Sequence, residues 1–161
     1  HHRNPGILGA AAEREDVFVE LISDGMHVHP AAIRNVFQLF GDGRVVLISD
    51  STESCGMPDG EYELGGQHVK KKGRKVTLAN QANEVIAGSA SNLYECMCSA
   101  VSFGIPLESA VRAVTMNPAK SIGMEGKIGS LIPGSWADCL LVDEGLRLRA
   151  VISNEHVTWL S

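Results

Sequence analysis

Val17-Phe18-Val19-Glu20-Leu21-Ile22 runs into Ser23-Asp24-Gly25-Met26-His27-Val28, and Arg44-Val45-Val46-Leu47-Ile48 runs into Ser49-Asp50-Ser51-Thr52. Each is a short apolar run that ends in an acid, and such runs read as buried parallel strands. Between them, Ile33, Val36, Phe37 and Phe40 fall on one face of a helix over Pro30 to Phe40. Pro30 suits the first helical turn and Gly41 the stop. The order strand 17–22, helix 30–40, strand 44–49 makes a βαβ unit. Its polar groups gather at the strands' C-terminal ends, where β/α folds place their chemistry.

The rest of the chain divides around this unit. Residues 61–79 predict a hairpin turning at Gly65-Gly66 and a third strand from Lys75 to Ala79. The basic run Lys70-Lys71-Lys72-Gly73-Arg74-Lys75 reads either as an anion site or, better, as a solvated edge and turn, because lysines protect exposed strand edges. Ile86-Ala87-Gly88-Ser89 leads into a helix from Ser91, its expected N-cap, to about Phe103. A second helix follows Gly104-Ile105-Pro106, and Pro118 to Ile122 adds a short turn. From Ile128 onward the pattern is β, with strands over 137–142, 146–152 and 156–160. The expected organisation is therefore a β/α part (1–60 and 84–123) and a β part (61–83 and 124–161).

Composition narrows the function classes. At 161 residues the chain has room for one core and a small satellite. A net charge of -5 argues against nucleic acid, whose phosphates need a basic face. No apolar run is long enough to span a membrane, and no signal-peptide pattern opens the chain. Cys55, Cys96, Cys98 and Cys139 lack zinc-site spacing and read as small reduced residues of a cytoplasmic protein. Two βα units do not close a barrel of about 250 residues. Either another chain supplies the missing strands or this stretch is a piece of something larger.

Several residue types carry chemistry. Asp50, at a strand end among Ser49, Ser51 and Thr52, reads equally as a general base or metal ligand and as a loop-opening Asp bonded to its own backbone. In His27-Val28-His29 both rings face one way as a metal pair, or only His27 faces the site and His29 precedes the helix-starting Pro30; the proline favours the second. Arg3, before Asn4-Pro5-Gly6, reads as a solvated arginine or as a clamp for a phosphate or carboxylate.

Taken together, Arg3-Asn4-Pro5-Gly6, Asp24-Gly25-Met26-His27-Val28, Ser49-Asp50-Ser51-Thr52 and Ala87-Gly88-Ser89 resemble the N-acetylglucosamine-6-phosphate deacetylases. The tail (Asn117-Pro118-Ala119, Ile122-Gly123, Gly129-Ser130-Leu131, Pro133-Gly134, Ala137-Asp138, Val142-Asp143) resembles the wider amidohydrolase superfamily. Ser49 and Ser51 depart from the Thr and Ala common in the family, which leaves the chemistry intact. The resemblance implies an α/β fold: the last two βα units of a TIM-like (β/α)8 barrel plus the C-terminal part of a small β-sandwich.

The resemblance also implies roles. Asp50 would be catalytic, taking a proton from the attacking water and passing it to the departing amine, with contact to that water or to a second metal. Asp24, Gly25, Met26 and His27 would form the segment that contacts the sugar. Ile86, Ala87 and Gly88 would form a loop whose backbone contacts substrate. Arg3 would bind the 6-phosphate in a neighbouring subunit's site, which implies a homodimer. His1-His2 would be native rather than a tag remnant. The divalent metal, zinc or iron, would be held by an upstream Glu and two His absent from this chain, so the isolated chain is expected to be inactive. The implied reaction is hydrolysis of the acetamide of N-acetylglucosamine 6-phosphate. The alternatives are a deacetylase for the galactosamine isomer, another amidohydrolase, or a non-catalytic binding module.

Overall fold

The computed structural model describes residues 3–80, 83–153 and 155–160, so His1 and His2 lie outside the described residues. The helix α1 (Gly6–Ala12) precedes strand β1 (Val19–Ile22), helix α2 (Pro30–Phe40) and strand β2 (Val45–Ile48). The strands β1 and β2 pair in parallel, with Val19 opposite Val45 and Ile22 opposite Ile48. The expected βαβ unit is thus present, and α2 keeps the bounds read from its periodicity.

The cap of α2 resolves the two histidines. His29 is the N-cap, and its Nδ1 accepts a hydrogen bond from the Ala31 N–H at 3.2 Å. With that ring turned to the helix end, the paired-histidine reading falls and His29 is a structural cap.

The helices α3 (Leu93–Ser102), α4 (Leu107–Val114) and α5 (Met116–Ser121) pack with α2 around β2. Leu21, Ile33, Phe37, Val45, Leu47, Met97, Ala100 and Ala113 form one continuous core there. The cap of α3 is Asn92, not Ser91. Asn92 Oδ1 accepts from the Glu95 N–H and Glu95 Oε2 accepts from the Asn92 N–H, both at 2.9 Å. That reciprocal pair needs an acid three residues on, which Asn92 has and Ser91 lacks.

A second sheet runs in the order β3 (Gly60–Leu64), β4 (Gln67–Lys72), β5 (Lys75–Leu78), β6 (Ile86–Ser89), all neighbours antiparallel. Gly65 and Gly66, at φ 56° and 80°, make the tight turn between β3 and β4. The lysine run corrects the expectation of an edge. Its first half is β4, an interior strand whose alternation turns Lys71 inward with Val69, while Gly73 and Arg74 form the expected turn into β5. The Lys71 ammonium reaches Asp59 Oδ1 at 3.3 Å, leaving Lys70 and Lys72 on the exposed face.

The third sheet is an antiparallel meander of β7 (Cys139–Val142), β8 (Leu148–Ser153) and β9 (His156–Trp159). Tyr94 of α3 donates to the Leu146 carbonyl at 2.7 Å and ties this sheet to the helices. Residues 129–134 form bends and turns rather than a strand. No helix among the described residues is long and apolar enough to cross a membrane. All four cysteines are free; Cys96 alone is fully buried, which pushes its thiol pKa up to about 11.

The tail motifs have structural reasons. Asn117 is buried, and its Nδ2 donates to the carbonyls of Asp42 and Val45, both at 2.7 Å, fixing the entry to β2. A Cβ on Gly129 would lie 2.5 Å from the Thr115 carbonyl oxygen and 3.1 Å from Ala119 Cβ, so only glycine lets that loop close on α5. Asp143 closes the β7–β8 turn by accepting from the backbone of Gly145 and Arg147 and from the Arg149 guanidinium.

Candidate active site at the strand ends

Past β1 the chain turns at once. Asp24 is 2% exposed, and its two oxygens do different work. Oδ1 accepts from the backbone N–H of Met26 at 2.8 Å and of His27 at 3.0 Å, which forms the turn. Oδ2 lies 2.8 Å from His27 Nδ1. Burial alone would raise the Asp24 carboxyl pKa, but the hydrogen bonds from the His27 and Met26 backbone and the His27 ring together bring it below its ordinary value. Gly25, at φ 80°, allows the turn. A Cβ there would meet Phe103 Cζ at 2.7 Å, so the α3 end presses directly on the turn.

Past β2 the second acid is disposed differently. Asp50 is exposed and sits in the left-handed region at φ 49°, a conformation Asp tolerates better than most residues. Its carbonyl accepts from the Ser89 N–H at 3.0 Å, and the Ser89 carbonyl accepts from the Thr52 N–H at 2.8 Å. These two bonds stitch the end of β2 to the end of β6 through the isolated parallel bridge Ser51–Ser89. The stretch Ile86-Ala87-Gly88, expected as a loop, is instead strand β6, because it pairs with β5, and its end lies beside Asp50. A Cβ on Gly88 would stand 2.6 Å from Thr52 Cγ2, 3.4 Å from the Asp50 carbonyl oxygen and 3.9 Å from Asp50 Oδ2. Glycine at φ 71° is what lets the two backbones meet.

The sequence shows the hydroxyls flanking Asp50 but not what they bond to. Ser51 Oγ lies 2.9 Å from Ser49 Oγ and donates to the Ser91 carbonyl, binding the loop on its other side. Arg3 is exposed ahead of α1 and is already engaged in an interaction. The C-terminal end of α1 is held by Arg44, whose guanidinium donates to the carbonyls of Ala11, Ala12 and Arg14. Arg44 immediately precedes β2, so this tie lies at the opposite end of that strand from Asp50.

The described residues contain no group of three His, Cys, Asp or Glu side chains that could hold a metal ion. The strand ends thus present an oriented imidazole and an open carboxylate, suited to binding a polar ligand and moving a proton.

Comparison with known proteins decides the family. The amidohydrolase family model matches residues 10–158. The chain belongs to the amidohydrolase family. It is 37% identical over 143 residues to the N-acetylglucosamine-6-phosphate deacetylase of Vibrio furnissii, covering 88% of this chain and 35% of that protein. It is 36% identical over 152 residues to the N-acetylgalactosamine-6-phosphate deacetylase of Escherichia coli O157:H7, covering 94% of this chain and 39% of that one. Among solved structures, an aspartate-to-alanine mutant of the Mycobacterium smegmatis N-acetyl-D-glucosamine-6-phosphate deacetylase, in complex with N-acetyl-D-glucosamine-6-phosphate, superposes with a TM-score of 0.88. The sequences there are 33% identical, covering 98% of this chain and 42% of that one. The chain spans about two-fifths of the length of each of these three relatives.

Proposed function

We propose that this chain is the portion of an N-acetylglucosamine-6-phosphate deacetylase that supplies the proton carrier and part of the sugar site. The observation that carries the reading is Asp50: an open carboxylate at a strand end, fixed by backbone bonds to Ser89. Close agreement in fold with a deacetylase that binds the glucosamine substrate supports it.

Asp50 accepts a proton from water as that water adds to the acetamide carbonyl, and gives a proton to the amine nitrogen as the C–N bond breaks. An amine leaves poorly unless protonated, so one carboxylate serves both steps. Ile86, Ala87 and Gly88 offer backbone beside it, and Met26 and His27 face the sugar. On this reading the strands β1 and β2 are the last two of a TIM-like barrel, and the β7–β9 sheet is part of a small sandwich. The divalent metal that amidohydrolases use does not fit the described residues, because no three ligands come together among them. The resemblance to the deacetylases puts its main ligands, a Glu and two His, outside this chain. Arg3, exposed ahead of α1, binds the 6-phosphate of a neighbouring subunit's substrate.

The galactosamine epimer is not favoured: two Escherichia coli relatives, each 36% identical, carry that name, while six other relatives and the solved complex carry the glucosamine compound. The test is a chimera in which residues 3–160 replace the matching portion of the Mycobacterium smegmatis enzyme. Acetate release from N-acetylglucosamine 6-phosphate well above that from its galactosamine epimer is expected. Release from neither sugar overturns the reading, and preference for the epimer overturns the choice of sugar.

A further inference from the structure

Asp24 makes more hydrogen bonds than its turn requires. Oδ1 alone, accepting from Met26 and His27, completes the turn. Oδ2 is left for the His27 ring at 2.8 Å, from a side chain with no exposure of its own. An ionised carboxylate can only accept, so the proton of this bond sits on His27 Nδ1. The two imidazole nitrogens point to opposite sides of the ring. With Nδ1 held by Asp24, Nε2 faces away from it, on a side chain that is 17% exposed.

We infer that Asp24 is a positioning residue: it locks His27 in the Nδ1–H tautomer, so that Nε2 is the nitrogen offered to the substrate at the strand ends. This deepens, and in its substrate half rests on, the deacetylase reading. With Nδ1 committed, Nε2 accepts from a sugar hydroxyl when the ring is neutral and donates to an anionic oxygen when the ring is protonated. A free histidine divides its population between tautomers and rotamers; here one carboxylate, itself pinned by two backbone donors, removes both freedoms.

Asp24→Asn separates the two oxygens. The amide oxygen is needed at the Oδ1 position for the turn, which puts the NH2 against the ring. His27 Nδ1 must then accept, and the proton moves to Nε2. Long-range proton–nitrogen NMR on the full chain reads this directly, at a pH about two units above the ordinary imidazole value of about 6.5. His27→Gln assigns the resonance by removing it. The Nδ1–H form is expected in the unsubstituted chain and the Nε2–H form in Asp24→Asn. The Nε2–H form in the unsubstituted chain overturns the lock, whether or not the variant folds. In the chimera, Asp24→Asn is expected to raise KM for the sugar phosphate about tenfold with little change in kcat. A tautomer swap that leaves both constants unchanged overturns the delivery of Nε2 to substrate. A chimera that turns over no sugar phosphate at all refutes the deacetylase reading instead, and the NMR result on the lock stands apart from it.

Discussion

Asp24 and Asp50 occupy matching positions on neighbouring strands: each lies two residues beyond Ile22 and Ile48, which pair across the parallel ladder. The match ends at the backbone. Asp24 is buried under three donors, while Asp50 is exposed in a left-handed conformation with its carboxylate open. One acid holds a neighbouring ring in place, and the other is available to carry a proton.

The junction of β2 and β6 should respond to Gly88. Gly88→Ala adds a Cβ at 2.6 Å from Thr52 and strains a left-handed backbone, at a cost of about 1–3 kcal/mol. The Asp50 carbonyl is next in its path at 3.4 Å, so the loop carrying Asp50 shifts. Urea unfolding of the chain should show the loss, and the chimera's kcat should fall with it. Unchanged unfolding would mean that the two strand ends do not meet as described.

Asn117→Ala leaves the Asp42 and Val45 carbonyls without their donor in a buried setting. A loss of about 2 kcal/mol is expected by urea denaturation. A change below about 0.5 kcal/mol, the range of ordinary surface substitutions, would show that water takes over both bonds.

The acid limb of stability should carry a contribution from Asp24. Its folded carboxyl titrates below its unfolded value of about 3.9. The stabilisation is complete above that unfolded value and is lost as pH falls through the lower folded one. The stability difference between the unsubstituted chain and Asp24→Asn should hold a plateau above about pH 5 and shrink below about pH 4. A difference independent of pH would contradict the three-donor arrangement.

The chain by itself should bind no stoichiometric zinc and release no acetate, since no three metal-ligating side chains cluster among its described residues. Elemental analysis after dialysis, with an acetate assay, checks both. One zinc per chain with turnover would place the metal site within these residues.

The βαβ unit was legible because its signals are local: apolar runs, one helical face, Pro30 and Gly41. So were Asp50 and the Asp24–His27 turn as points of interest. The roles were less so. The partner of Asp50 is Ser89, separated from it along the chain by strands β3, β4 and β5, and no pattern along the chain announces that bridge. The lysine run misled because composition says where charges are but not which strand is an edge. The N-cap of α3 was readable in principle, since Glu95 three residues beyond Asn92 marks it.

The most direct test of the central claim is Asp50→Asn in the chimera. Asn tolerates the left-handed backbone about as well as Asp, so the fold serves as its own control. The account predicts that kcat for N-acetylglucosamine 6-phosphate falls roughly 10²–10⁴-fold while KM stays within about threefold. A kcat close to that of the unsubstituted chimera would contradict the assignment of Asp50 as the proton carrier.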